Sequence, residues 1–110
     1  MSDFVAERKI FAVSPEGEKF WIRLGVGKPY RLDDKSWACP VTMEGLHEKY
    51  SDGVGGDSWQ ALHLSLNSCH SALDHFMAKG GILYYDDSEQ ERFESPVEFL
   101  GKSFERRNNK

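Results

Sequence analysis

The sequence predicts an α+β domain of two layers: an antiparallel three-stranded meander, one long helix and a fourth strand, with the helix packed on one sheet face. Three observations predict it. Phe20, Ile22, Leu24 and Val26 alternate with Trp21, Arg23 and Gly25, the period of a half-buried strand. Trp59, Leu62, Leu66, Cys69, Leu73 and Phe76 recur at steps of three and four, the period of a helical stripe. The 110 residues, 39% of them hydrophobic, suit a single domain over residues 1–110, with an ordered core over about 4–100 and a frayed tail at 101–110.

The first strand runs from Phe4 to Val13 and ends at Ser14-Pro15-Glu16-Gly17, where Pro presets φ at the second turn position and Gly closes the turn. The second strand, Lys19 to Val26, completes a hairpin. After a linker from Gly27 to Lys35, a third extended segment places Trp37, Cys39, Val41 and Met43 on one face and Ala38, Pro40 and Thr42 on the other. Pro40 has no N–H for a ladder, so this strand belongs at a sheet edge or carries a bulge. Glu44 to Gly56, with four glycines and Asp52, reads as a flexible loop.

Asp57, with Gln60 three residues later, marks the start of the long helix as a capping-box variant, and Gly80-Gly81 marks its stop. Ile82 to Tyr85 is the fourth strand, Asp86 to Glu91 a polar turn, and Ser95-Pro96-Val97-Glu98 a second helix start with Gly101 as its stop. With the third strand at an edge, a right-handed crossover through the helix predicts the order third, second, first, fourth, with the last pair parallel.

Charge and cysteine usage limit the function classes. Eighteen acidic residues against fourteen basic ones give a net charge of −4, which argues against nonspecific nucleic-acid binding. No run of about 18 apolar residues is present to cross a membrane. Met1-Ser2-Asp3-Phe4 opens no secretory leader, and Cys39 and Cys69 lack the spacing of a disulfide framework or zinc site, so a cytoplasmic protein is expected.

Leu24-Gly25-Val26-Gly27-Lys28-Pro29-Tyr30, Trp37-Ala38-Cys39-Pro40, Gly45-Leu46 and Gly56-Asp57-Ser58-Trp59-Gln60-Ala61-Leu62 together resemble a family of small bacterial domains of unknown function. The resemblance covers roughly residues 5–100 and departs at Arg92-Phe93-Glu94-Ser95-Pro96, where the family has Gly-Phe-Pro. It implies a bacterial, intracellular, single-domain protein and no assigned activity. In physical terms, Asp57, Ser58 and Gln60 serve orphan N–H groups at a helix start, and Ala61 allows close packing.

Several constellations have a plainer reading beside the chemical one. His63, Asn67, His70 and Asp74 form a polar helical stripe, but the two histidines lie about 10 Å apart along the axis, too far to share one ion, and read as a border of the apolar stripe. Cys39 and His70 could meet as a nucleophilic pair, yet both cysteines fall at inward positions and read as buried thiols. Gly55, Gly56 and Ser58 are candidate anion-site residues at the helix N-terminus, although Asp57 puts negative charge there and the Lys-Ser/Thr of a P-loop is missing. Asp86, Asp87, Glu89 and Glu91 lack the calcium-loop pattern. No catalytic residue, metal set or cofactor is assigned.

The remaining feature is the sheet face opposite the helix, where Phe11, Val13, Trp21, Arg23, Ala38, Pro40 and Thr42 project. Two readings stay open: the face meets a partner, or the C-terminal segment with Phe93, Val97, Phe99, Leu100 and Phe104 folds back over it. Phe11, Trp21, Arg23, Pro40 and Thr42 are therefore the partner-binding candidates. The function expected is a non-enzymatic interaction or accessory module, homodimeric or of immunity type, with a protein partner or second copy and neither nucleic acid nor membrane. The alternative is a small-molecule-binding or hydrolytic domain using residues 47–58 and the helix N-terminus.

Overall fold

The computed structural model describes residues 4–46 and 51–93. Strands β1 (Phe4–Val13) and β2 (Lys19–Gly27) form the central hairpin, whose turn closes as the Ser-Pro-Glu-Gly sequence requires. The Gly17 N–H donates to Ser14 O at 2.9 Å and the Glu18 N–H to Ser14 Oγ at 3.0 Å. Ile10 lies opposite Ile22, and Ala12 opposite Phe20. The alternation therefore delivers Ile10, Ala12, Ile22 and Leu24 to one buried cluster with Cys69, Leu73, Leu83 and Phe93.

The remaining elements are β3 (Tyr30–Arg31), β4 (Trp37–Cys39), β5 (Val41–Glu44), β6 (Gly53–Gly55), helix α1 (Ser58–Ala78) and β7 (Ile82–Tyr84). They make an α+β fold with two sheets, β5-β2-β1-β7 and β3-β4-β6. The third extended segment is thus two strands, split at Pro40. Gly27 N–H reaches Pro40 O at 2.9 Å, and the chain passes there from the small sheet to the edge of the large one.

The order predicted for the large sheet holds, but the predicted parallel pairing does not: β7 runs antiparallel to β1. The cause lies in residues 53–55, expected as loop. They form β6, antiparallel to β4, and so reverse the chain once more before the helix begins. That reversal sends α1 and then β7 in directions opposite to those of a simple crossover.

Both ends of α1 follow their sequence signals. Asp57 Oδ1 accepts from the Gln60 N–H at 2.8 Å, while Gln60 Oε1 accepts from the Gly56 N–H at 2.6 Å. At the other end Gly80 adopts φ +103°, the Gly81 N–H bonds Phe76 O and the Gly80 N–H bonds Met77 O, both at 3.0 Å, a Schellman closure. The buried face is rotated from the predicted stripe, however. Ala61, Ser65, Cys69, Ala72 and Leu73 face inward, whereas Trp59 is 82% exposed and Leu66 38%.

Small residues face inward because α1 approaches β6 closely. A Cβ on Gly53 would lie 2.7 Å from Ser65 N, and one on Gly55 would lie 2.9 Å from Ala61 N. Ser65, wholly buried, joins the elements: its hydroxyl donates to Cys39 O at 2.7 Å and accepts from the Gly53 N–H at 2.8 Å.

After β7 the chain turns back at Asp86 to Glu91, Tyr84 bridges Arg92, and the Phe93 N–H donates to Leu83 O at 2.9 Å. Phe93 then enters the core between sheet and helix, stacked on Tyr85 at 4.0 Å. It does not cover the opposite face, as one reading of the C-terminal segment had it. Val97, Phe99, Leu100 and Phe104, the helix start at residues 95–98 and the tail at 101–110 lie outside the described residues.

Removing the Ser65 hydroxyl strands a donor and an acceptor at once, so Ser65→Ala should cost about 1–3 kcal/mol, read as a lower urea midpoint at unchanged slope. Gly53→Ala, which forces a methyl against the helix backbone, should cost about 1–3 kcal/mol, whereas Gly56→Ala, whose Cβ would meet only Gln60 Oε1 at 3.6 Å, should be nearly neutral.

Candidate functional site

Strand alternation places Phe11, Trp21 and Tyr84 on the face of the large sheet away from α1, since Ile10, Ala12, Ile22 and Leu83 point toward it. Phe11 lies opposite Trp21 on one side and opposite Tyr84 on the other. The three rings therefore form an aromatic tier across β2, β1 and β7. Phe11 and Trp21 meet edge to face, with centroids 5.1 Å apart and planes at 72°. Phe11 is 8% exposed beneath its neighbours, while Trp21 remains 38% exposed.

A charged tier follows one step along the strands, where Lys9 pairs with Arg23 and Arg23 with Glu44. Lys9 Nζ stands 4.7 Å from the Trp21 ring centroid. Arg23 is held from three sides: its Nε donates to Glu7 Oε1 at 3.1 Å, Nη1 lies 3.7 Å from Glu44 Oε1, and the guanidinium covers the Phe4 ring at 5.1 Å. Thr42, half-buried, lies opposite Gly25 in the next tier. Pro40 is set apart at the break between the sheets, close against Gly27. The structure thus gathers Phe11, Trp21 and Arg23, places Thr42 beside them, and leaves Pro40 at the periphery. Lys9 and Tyr84 were missed from the sequence. Lys9 shares the alternation of Phe11, which marks it; Tyr84 joins only through the β1–β7 register.

The anion-site candidates occupy a different setting. Gly55 lies in β6 against the helix and Ser58 is the first helical residue. The amide of Gly56 is engaged by Gln60, so the N-terminal turn is closed by its own side chains.

The two cysteines are buried and unbridged. Cys39 Sγ donates to Gly27 O at 3.4 Å rather than meeting His70. Burial raises the Cys39 thiol above its ordinary range, and burial followed by the charge of Cys39 pushes Cys69 up to about 11. On the polar stripe, His63, Asn67 and Asp74 are exposed and His70 is half-buried. Among the described residues no three His, Cys, Asp or Glu side chains converge as a metal site would require. His47 lies outside them. No helix among these residues is long and apolar enough to cross a membrane.

An antiparallel sheet with one helix on one face and an aromatic tier on the other defines an α+β domain with a preformed surface and, among the described residues, inward-facing thiols. The chain belongs to the family described as a domain of unknown function (DUF6968), whose model matches residues 6–97. No curated protein and no solved structure matches it.

With both thiols buried and protonated, a disulfide-exchange reagent at pH ~8 should label neither Cys39 nor Cys69 in the native protein and both in urea. The folded thiols hold their protons above the unfolded value, so the stability they contribute is complete below about 8.5. It is lost as pH rises from there toward about 11, the value for Cys69, and a urea midpoint falling across that window would register it.

Proposed function

We propose that this chain is a non-enzymatic interaction module of the bacterial cytoplasm, which docks a protein partner or a second copy of itself on the aromatic tier. The observation that carries this reading is Trp21, a large ring left 38% exposed and already oriented by the edge of Phe11 and the ammonium of Lys9. A ring held in place before binding loses little rotamer freedom on contact, and Trp and Arg are the residues most enriched where interface energy concentrates. Lys9 and Arg23 alternate with Glu7 and Glu44 beside it, a rim of balanced charge that disfavours partners of one uniform sign and supports selectivity more than raw affinity. Thr42 extends the surface toward the β5 edge, and Pro40 limits it. Burial of both Cys39 and Cys69 disfavours a cysteine nucleophile.

Affinity capture from the native host, with mass spectrometry of what is recovered, tests this directly when wild type and Trp21→Ala are compared at matched folding by circular dichroism. A partner, or a dimer by sedimentation, whose recovery falls about tenfold with Trp21→Ala is the expected result, equivalent to about 1.4 kcal/mol. Equal recovery by both proteins together with a monomeric wild type would overturn the assignment of this face.

A further inference from the structure

The β1–β2 turn and the last turn of α1 stand side by side, with Gly80 so placed that a Cβ on it would lie 3.6 Å from Pro15 Cβ. A cleft of about 290 Å³ opens between them and the chain leaving β5. Its floor is apolar, lined by the half-buried Phe20, Leu46 and Phe76. Phe20 and Phe76 meet edge to face, with centroids 6.0 Å apart and planes at 87°. Phe76 is backed by Gly81, where a Cβ would lie 2.6 Å from its Cδ2, so the ring is oriented before anything binds. An apolar cavity of about 150 Å³ takes a benzene ring, and the larger space here admits a ring with a short substituent.

The rim carries both signs of charge, from two elements. Glu16 and Glu18 come from the hairpin turn and Lys79 from the end of the helix, all three exposed. Among the described residues none of the three forms an ion pair, and no hydrogen bond engages their charged groups. Their neighbours in the fold differ: Lys19 pairs with Glu89, and Arg23 with Glu7 and Glu44. His75, on the same wall, is engaged in an interaction of its own. The cleft thus presents two unpaired carboxylates and one unpaired ammonium around an aromatic floor.

We propose that this cleft binds a free α-amino acid with an aromatic side chain. The ring packs on Phe20 and Phe76, where edge and face are both offered to a third ring. The ammonium of the ligand meets Glu16 and Glu18, and its carboxylate meets Lys79. A plain amine would set its charge beside that of Lys79, and a plain acid would face two carboxylates; like charges so placed lower affinity. A residue inside a peptide chain carries neither ionic group on its backbone, so the free zwitterion alone matches all three charges. The site lies on the helix side of the large sheet and stands independently of what the aromatic tier binds.

Titration of the isotope-labelled full chain with L-phenylalanine, 2-phenylethylamine, 3-phenylpropionate and L-alanine, followed by amide correlation spectra, tests it. Phenylalanine should produce saturable shifts at Phe20, Leu46, Phe76 and Lys79, with an affinity about fivefold above that for the amine or the acid, the scale of one exposed ion pair. Alanine, which has both charges and no ring, should not saturate. The surface variant Glu16→Gln/Glu18→Gln, with its fold checked by the same spectra, should bind phenylalanine no better than phenylpropionate, and Lys79→Gln no better than phenylethylamine. Absence of saturation with phenylalanine at tens of millimolar, shifts scattered away from the cleft, equal affinity for the three aromatic probes, saturable binding of alanine as tight as that of phenylalanine, or undiminished phenylalanine binding by either variant would each overturn the proposal.

Discussion

Where α1, β4 and β6 meet, one hydroxyl joins them: Ser65 accepts the Gly53 N–H and donates to Cys39 O, and the helix lies so near β6 that neither Gly53 nor Gly55 has room for a side chain. A buried polar group costs free energy unless its partners are in place, so this junction tolerates one arrangement of the three elements and penalises others. The small residues of α1 follow from it. Ala61, Ser65, Cys69 and Ala72 are the side chains that permit such an approach, and the larger Trp59 and Leu66 are displaced toward solvent.

The direction of the rest of the chain depends on the same junction. Pairing of β6 with β4 reverses the chain before the helix, so that α1 returns it to enter β7 antiparallel to β1. Residues 91–93 then turn back on β7 and carry Phe93 into the core on the helix side. Seating of α1 over the small sheet has two outcomes for the surface. One is a cleft beside Leu66 and His70; the other is the large sheet's far face, on which Phe11, Trp21 and Tyr84 line up.

Much of the fold was legible because it is written in local chemistry. The Ser-Pro-Glu-Gly turn, the alternation from Phe20 to Val26, the Asp57–Gln60 cap and the Gly80-Gly81 stop each depend on residues within a few positions of one another, and each formed as read. The glycine strand was not legible. Gly53, Val54 and Gly55 have the composition of a loop, and their value as a strand exists only against a helix that needs to come close. Trp59 misled for a related reason: hydrophobicity ranks it above Ala61, whereas a close interface selects for size. Of the candidate site, Phe11, Trp21 and Arg23 followed from the period of two, but Tyr84 entered through a register between strands about seventy residues apart in sequence, which no local pattern encodes.

The sequence by itself determined the α+β class, the central hairpin, the helix with its two caps, and the inward placement of both cysteines, since periodicity and capping are properties of neighbouring residues. Tertiary structure decided the second sheet, the antiparallel entry of β7, the rotation of the helix face and the company Trp21 keeps. Those depend on distances between segments remote in the chain, where a missing Cβ or one buried hydroxyl outweighs the larger hydrophobic side chains that dominate a local reading.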